Sequence, residues 1–346
     1  MTMIAAAPTT NTAFIGASPD GPFYEAQAIT AALLGDSPLE QAVSQFFLGG
    51  ASNAWIVRVP VEGAVLSSAL SALDAVPSLN LLAMPDLAAL EGNAYQSALA
   101  LIAAYCASRR AFFLVDPPTD WTNVDAITPQ AVSDVASIVK ENGAIYWPLL
   151  STGKATTPIS GAVAAVYVTT DESRGVWKAP AGTSATLPAV TPSYLANNAE
   201  NGILNPLGVN VIREFPVYGT VVWGARTLDG ADQLASDWKY VSVRRLALFL
   251  QSSIIDGLQW TAFQPNTAAL WSDITVSVTS FLTTLWKEGA FVGATPSTAF
   301  FVQCDSTTTS LDDIENGLVN VIVGFAPVSP AEFVILQITA SALPPE

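Results

Sequence analysis

Five short, almost wholly apolar runs in the first half of the chain set the strongest limit on what it can fold into. They are TAFIGA at 12–17, NAWIVRVP at 53–60, LNLLAMP at 79–85, RAFFLVDPP at 110–118 and AIYWPLL at 144–150. Each has the length of a strand, and helical patterns lie between them. Ser37-Pro38-Leu39-Glu40 opens one helix: Ser37 is placed to accept from the Glu40 amide, Glu40 to return the bond, and Pro38 suits the first helical position. Leu39, Val43, Phe46 and Phe47 give it an apolar face, and Gly49 is expected to close it with positive φ. Tyr95, Ala98, Leu99, Ile102 and Tyr105 line one side of a second helix, and Thr128-Pro129 starts a third. Such alternation, with strands apolar on both faces, predicts a parallel sheet covered by helices on each side. An α/β fold is therefore expected from residue 13 to about 170.

The middle changes character. From about 151 to 206 Gly, Pro, Ser, Thr and Asn are frequent (STGKATTPISG, KAPAGTSATLP, NNAENGILNP), which reads as loop and as the joint between two domains. Strand patterns follow at 207–215 and 220–228, then a helix from about Arg244 to Gly257. A longer helix has Leu270, Trp271, Ile274, Val278, Phe281, Leu282 and Leu285 on one face, with Gly289 past its end. The last quarter (AFFVQC, LVNVIVGFAPV, EFVILQI) is strand-like, so the second half reads as α+β.

Composition narrows the function. The 346 residues include no histidine, which removes His-based acid/base catalysis, Ser-His-Asp and Cys-His nucleophiles and His-ligated metals. Cys106 and Cys304 are the only cysteines, too few for a disulfide framework or a four-cysteine zinc site, and a reduced compartment of synthesis is expected. Thirteen Lys and Arg against 29 Asp and Glu leave a net charge of −16, which argues against nucleic acid or an anionic membrane as partner. The start, MTMIAAAPTTNTAFIG, lacks the basic n-region of a signal peptide. The run GLVNVIVGFAPV at 317–328 is too short to span a bilayer, and a soluble chain is expected. With 51% apolar and only 12% charged residues, such a chain is expected to hide much of its surface in an assembly. The nine tryptophans, six of them in the second half, suit either cores or interfaces.

Catalytic patterns fail on inspection. Ser151-Thr152-Gly153-Lys154-Ala155 follows a strand, but a phosphate loop needs a glycine where Pro148 stands and a Ser or Thr where Ala155 stands. The same residues fit Ser-x-x-Lys, in which Lys154 would activate Ser151, yet the Ser-Asp-Asn and Lys-Thr-Gly elements of that class are missing. No cofactor is expected. Asp312, Asp313 and Glu315 do not have calcium-loop spacing and read as an acidic helix start, solvated or facing a partner. Arg244 and Arg245 interrupt an apolar run (YVSVRRLALFL). Adjacent residues cannot share a face, so one is expected to snorkel or pair internally while the other reaches a partner, with structural pairing to a carboxylate and an interface role equally open.

The second half resembles the contractile tail sheath family of phages and phage-tail-like injection machines. The resemblance is carried by RGVWKAPAG (174–182), LNPLGVNVIREFP (204–216), VVWGARTL (221–228), YVSVRRLALFLQSSIIDGLQWTAFQPN (240–266), TLWKEGAFVGATPSTAFFVQCD (284–305) and DDIENGLVNVIVGFAPVSPAEFVILQI (312–338). FIGASPDGPF and AWIVRV carry a looser match in the first half.

The resemblance implies a doubly wound, subtilisin-like α/β domain at 13–190, for which the missing histidine leaves no triad, and an α+β sheath domain at 191–338. Terminal strand-exchange arms would flank them, at 1–12 and in the alternating strand 333–338, with a tail at 339–346. The chain is short beside many phage sheaths and resembles the compact sheaths of bacteriocin-like and toxin-injecting particles. The family implies six-membered rings stacked around an inner tube, arms that lend strands to neighbours, and contraction from a metastable state. Arm candidates are Thr9, Thr10, Asn11, Phe333, Ile335 and Gln337; tube-contact candidates are Asp312, Asp313 and Glu315. Implied partners are the chain itself, an inner tube protein, and baseplate and cap proteins, assembled in the bacterial cytoplasm without membrane insertion. A non-polymerising paralogue acting as cap or baseplate adaptor is the alternative.

Overall fold

A computed structural model describes residues 3–153, 155–328 and 334–341. It divides into two compact units, Pro8–Arg244 and the combination of Met1–Ala7 with Arg245–Glu346.

The larger unit contains strands β1 (Thr12–Ala17), β2 (Ala26–Ile29), β3 (Ala54–Val59), β4 (Leu81–Ala83), β5 (Phe112–Val115), β6 (Gly143–Trp147), β7 (Leu150–Ser151), β8 (Thr156–Thr157), β9 (Val209–Phe215) and β10 (Gly219–Val222). Its helices are α1 (Pro38–Leu48), α2 (Leu66–Ala72), α3 (Gly92–Arg109), α4 (Pro129–Val139), α5 (Ser160–Arg174) and α6 (Asn198–Leu204); α7 (Val241–Gly257) crosses the division. Eight strands form one sheet in the order β10-β9-β6-β5-β4-β1-β3-β2. The inner six are parallel, and antiparallel β2 and β10 close the two edges.

Alternate residues of the apolar strands explain the layering. Ile15, Val57, Leu82, Phe113, Ile145 and Val211 share one core with Leu70 of α2, Leu99 and Ile102 of α3 and Val135 of α4. On the opposite face Phe14 meets Phe46 of α1 edge-on at 5.3 Å, and Phe112 and Tyr146 meet Tyr167 of α5 at 6.1 and 6.3 Å. The Tyr146 and Tyr167 hydroxyls, both buried, share a hydrogen bond of 2.6 Å, so neither phenol is left unsatisfied. The expected double cover is present.

The Ser37–Glu40 capping box and the Thr128 cap form as read. Gly49 corrects the reading of the α1 terminus: its φ is −72°, and Gly50 at +101° makes the turn. A Cβ on Gly49 would lie 2.4 Å from the Ala165 Cβ, so this glycine is required for helix packing rather than for handedness. Gly161 is tighter still, because a Cβ there would lie 2.0 Å from the Ala42 carbonyl oxygen. That contact sets how closely α5 lies on α1.

The expected joint at 151–206, and with it the boundary at residue 190, also needs correction. This stretch holds the buried helix α5, and β9 and β10 after it extend the first sheet instead of starting a second domain. Its polar, Pro-rich part laces along the sheet edge. Leu187 donates its amide to Thr220 O and Val222 to Ala185 O, at 2.8 and 2.9 Å, while Ser193 donates to Leu149 O at 2.8 Å. A segment that satisfies an edge strand's backbone has the composition of a linker without being one.

The smaller unit contains α8 (Ala268–Lys287), α9 (Pro296–Ala299), β11 (Phe300–Gln303), α10 (Leu311–Glu315), β12 (Leu318–Phe325) and β13 (Val334–Ser341). The expected face of α8 is buried at Leu270, Ile274, Val278, Phe281, Leu282 and Leu285; Trp271 is half-buried and donates Nε1–H to Asn266 Oδ1 at 2.8 Å. Phe281 meets Phe249 of α7 at 6.2 Å. The three C-terminal strands form an antiparallel sheet in the order β11-β12-β13.

Candidate interaction surfaces

Phe333 and Lys154 lie outside the described residues. Ile335 and Gln337 lie on β13, where their backbones pair with Gly324 and Ile322 of the same chain. Because β12 occupies the centre, β13 is the last described strand of its sheet and β11 the first. The strand singled out by its alternation is thus an edge strand, the position from which main-chain groups can pair with another chain. Asn320 Oδ1 of β12 accepts from Thr339 Oγ1 at 2.7 Å, adding a side-chain tie to the ladder.

The N-terminal candidates are fastened within the chain. Asn11 donates its amide to Asn80 Oδ1 at 3.0 Å and its side-chain Nδ2 to Pro77 O at 2.9 Å, and it accepts from the Asn80 and Leu81 amides. Thr10 O accepts from the Thr12 hydroxyl at 2.9 Å. In the smaller unit, Ile4 is buried against α7 at Gly257, where an added Cβ would lie 2.7 Å from its side chain, and Ala7 donates to Ser253 Oγ.

The three acidic candidates differ from one another. Asp313 is engaged in a capping box: its Oδ2 accepts from the Ser310 hydroxyl at 2.6 Å and amide at 2.8 Å, while its own amide donates to Ser310 Oγ. The Ser310 hydroxyl bond, with the amide second, holds the Asp313 carboxyl below its ordinary value. Asp312 and Glu315 are exposed beside Leu311, itself 78% exposed. Of the three candidates, only these two are exposed.

Arg244 pairs internally, as one of the two arginines was expected to do. Its Nε donates to Asn142 Oδ1 at 2.6 Å, its guanidinium lies 4.6 Å from the Trp238 ring, and Glu141 is 3.8 Å away. Arg245 is only 4% exposed, which corrects the expectation that the second arginine of the pair reaches outward. Sequence reasoning passed over a third, Arg213, which is 9% exposed on β9. It donates to Asn198 Oδ1 at 2.6 Å and Ala196 O at 3.3 Å, and its guanidinium lies 4.7 Å from the Phe215 ring. The one available signal was an arginine alternating into an otherwise apolar strand (VNVIREF).

Ser151 carries no nucleophile's surroundings. Its Oγ accepts from the Gly153 amide at 3.1 Å in the tight β7–β8 turn. Cys106 and Cys304 are both buried free thiols; burial pushes Cys106 well up and, with Asp305, Cys304 to about 12. Among the described residues no helix is long and apolar enough to cross a membrane, and no cluster of His, Cys, Asp or Glu has the makings of a metal site. What the surfaces offer is pairing and charge, with edge strands and outward carboxylates in one unit.

Comparison with known proteins gives the class. Residues 60–228 match the phage tail sheath protein central domain, and 234–341 match the phage tail sheath C-terminal domain. The chain belongs to the contractile tail sheath family. It is similar to the sheath of PVC, an extracellular contractile injection system, in its contracted-state complex, at 26% identity and a TM-score of 0.79 over 98% of this chain and 93% of that one. It is also similar to the helical sheath of the anti-feeding prophage in the contracted state, at 30% identity and a TM-score of 0.76 over 97% and 94%. A chain of the six-fold symmetrised baseplate of the same prophage is alike at 29% identity and 0.76, over 97% and 94%. The tail sheath protein of Vibrio phage KVP40 is 23% identical over 66% of this chain, and the match spans only 32% of that longer relative.

Proposed function

We propose that the chain is a structural sheath subunit that polymerises as a six-fold helical cylinder around an inner tube and contracts to drive the tube through a target envelope. The observation that carries this reading is likeness over nearly the whole chain to a sheath in the contracted state. The missing histidine and the Ser151 turn support a mechanical role on an α/β scaffold of subtilisin type without its triad. Assembly would take place in the bacterial cytoplasm, with baseplate and cap proteins at the two ends; likeness to the baseplate chain supports the first of these.

The chemistry of assembly follows from the smaller unit. A neighbour's segment would pair with its edge, with the backbone of Ile335 and Gln337 in the ladder. For the segment before β1, including Thr9 to Asn11, to serve as the opposite arm, the bonds of Asn11 to Asn80, Pro77 and Leu81 would first have to open. Main-chain hydrogen bonds of this kind would keep neighbouring chains linked while the subunits rotate. Asp312 and Glu315 would meet a cationic tube surface, an exposed charge contact worth at most about 1 kcal/mol and so reversible on contraction. Charge composition favours this unit for the tube: it carries nine acidic residues, with Arg245 and Lys287 as its only cations.

Two variants test the reading. Deleting 334–346 should abolish sedimentable polymer while the larger unit stays folded by circular dichroism; undiminished polymer would contradict the arm. D312K/E315K should retain polymerisation but lose co-sedimentation with the tube protein, and unchanged co-sedimentation would contradict the tube contact.

A further inference from the structure

The carboxyl ends of β1, β4 and β5 hold a charge problem that the sheath reading does not use. Asp116, at the end of the apolar run FFLVD, is fully buried. Its Oδ1 accepts from the Ile159 and Ser160 amides, at 2.7 and 2.9 Å, at the start of α5. Its Oδ2 and the equally buried Ser160 Oγ have no hydrogen-bond partner of proper geometry. Asp86, in the turn after β4, acts on Asp116 through its like charge, and its Oδ2 accepts from the Ala17 amide at the end of β1 at 3.0 Å. From α3, Tyr95 donates its hydroxyl to the Asp116 carbonyl at 3.3 Å. Among the described residues neither carboxyl is in an ion pair.

Full burial without a cation, and the like charge of Asp86, disfavour the ionised form of Asp116, against the two amides that favour it. We propose that Asp116 is held as the neutral acid in the folded chain and forms a proton-dependent fastening between the end of β5 and the first turn of α5, with the charge of Asp86 acting on it. Burial pushes the Asp116 carboxyl up to about 7, opposed by the Ser160 hydroxyl and the two amides and reinforced by Asp86. Asp86 is itself raised by burial, against the pull of the Ala17 amide. Because α5 touches α1 at Gly161, one residue beyond Ser160, any loosening here is felt where the two helices are closest. The folded state binds more protons than the unfolded chain between the ordinary aspartate value and about 7, so stability falls as pH rises through that window. This device is independent of the sheath reading and would hold in any protein with these contacts.

The test uses the full chain. In urea unfolding from about pH 4 to about pH 8, the wild-type midpoint for the larger unit should fall with pH more steeply than that of D116N, whose amide reproduces the protonated form. A difference infrared spectrum near pH 6 should show a protonated-carboxyl band in the wild type that D116N lacks. D86N should fold and shift the disappearance of that band to lower pH, because the like charge is gone. Parallel pH profiles for wild type and D116N, or a band that survives in D116N, would overturn the proposal.

Discussion

The two units of this chain solve the same problem of low charge in different ways. The larger one binds its cations internally: its sheet is covered on both faces, a polar loop laces β10, and Arg109, Arg213, Arg226 and Arg244 are bound to groups of their own unit, while Leu34 and Val217 stay 96% and 84% exposed. The smaller one has a short sheet that ends on β11 and β13 among the described residues, and its acidic residues outnumber its cations nine to two, against twenty to eleven in the larger unit; Leu311 and Phe263 are 78% and 82% exposed. Phe263 also sits at φ +70°, a conformation unfavourable for an aromatic residue. The contrast teaches where a charge-dependent contact with a partner should reside: in the unit whose acidic groups are least balanced in one copy.

Several substitutions would break or sharpen that contrast. The largest effect is expected for Trp147→Ala, since Trp147 is 1% exposed and donates Nε1–H to Trp121 O at 2.6 Å. It should destabilise the larger unit by about 3–5 kcal/mol in urea titration while leaving the smaller unit's transition in place. Equal movement of both transitions would break the division. Arg213→Ala should cost about 2 kcal/mol in the same unit by stripping charge-assisted hydrogen bonds and ring contact; near-neutrality would mean that the arginine is not a closed internal feature.

Ser310→Ala should cost about 1 kcal/mol, confined to the smaller unit, through loss of the α10 cap. It should also move the carboxyl titration of Asp313 back toward the ordinary range, as read by carbon NMR. Asp313 is depressed in the folded state, so its contribution is present above the ordinary aspartate value and lost as pH falls through the lower folded value. An unmoved Asp313 titration in S310A would assign the depression to another group.

Much of the larger unit was legible because local and tertiary demands agree there. Ser37 and Glu40 cap the helix they announce, and all five apolar runs contain strands of one sheet. Gly49 misled because the same residue type serves positive φ and close helix approach, and only the position of Ala165 separates the two uses. The 151–206 stretch misled because loop composition reports exposed backbone, not whether that backbone crosses between domains or borders a sheet. Asp116 was written plainly in FFLVDPP, but its partners at 159–160 are brought to it only by the fold. The acidic helix start and the last strand were legible as local structure. Which carboxylates turn outward was not, since the Ser310 cap that occupies Asp313 is a matter of local geometry.

The central claim is polymerisation into a sheath, and negative-stain electron microscopy of the full chain, alone and co-expressed with a tube protein from its own gene neighbourhood, tests it most directly. The account predicts hollow striated cylinders, longer and enclosing a tube when the partner is present. Uniform small particles under both conditions would contradict it and favour a non-polymerising member of the same family.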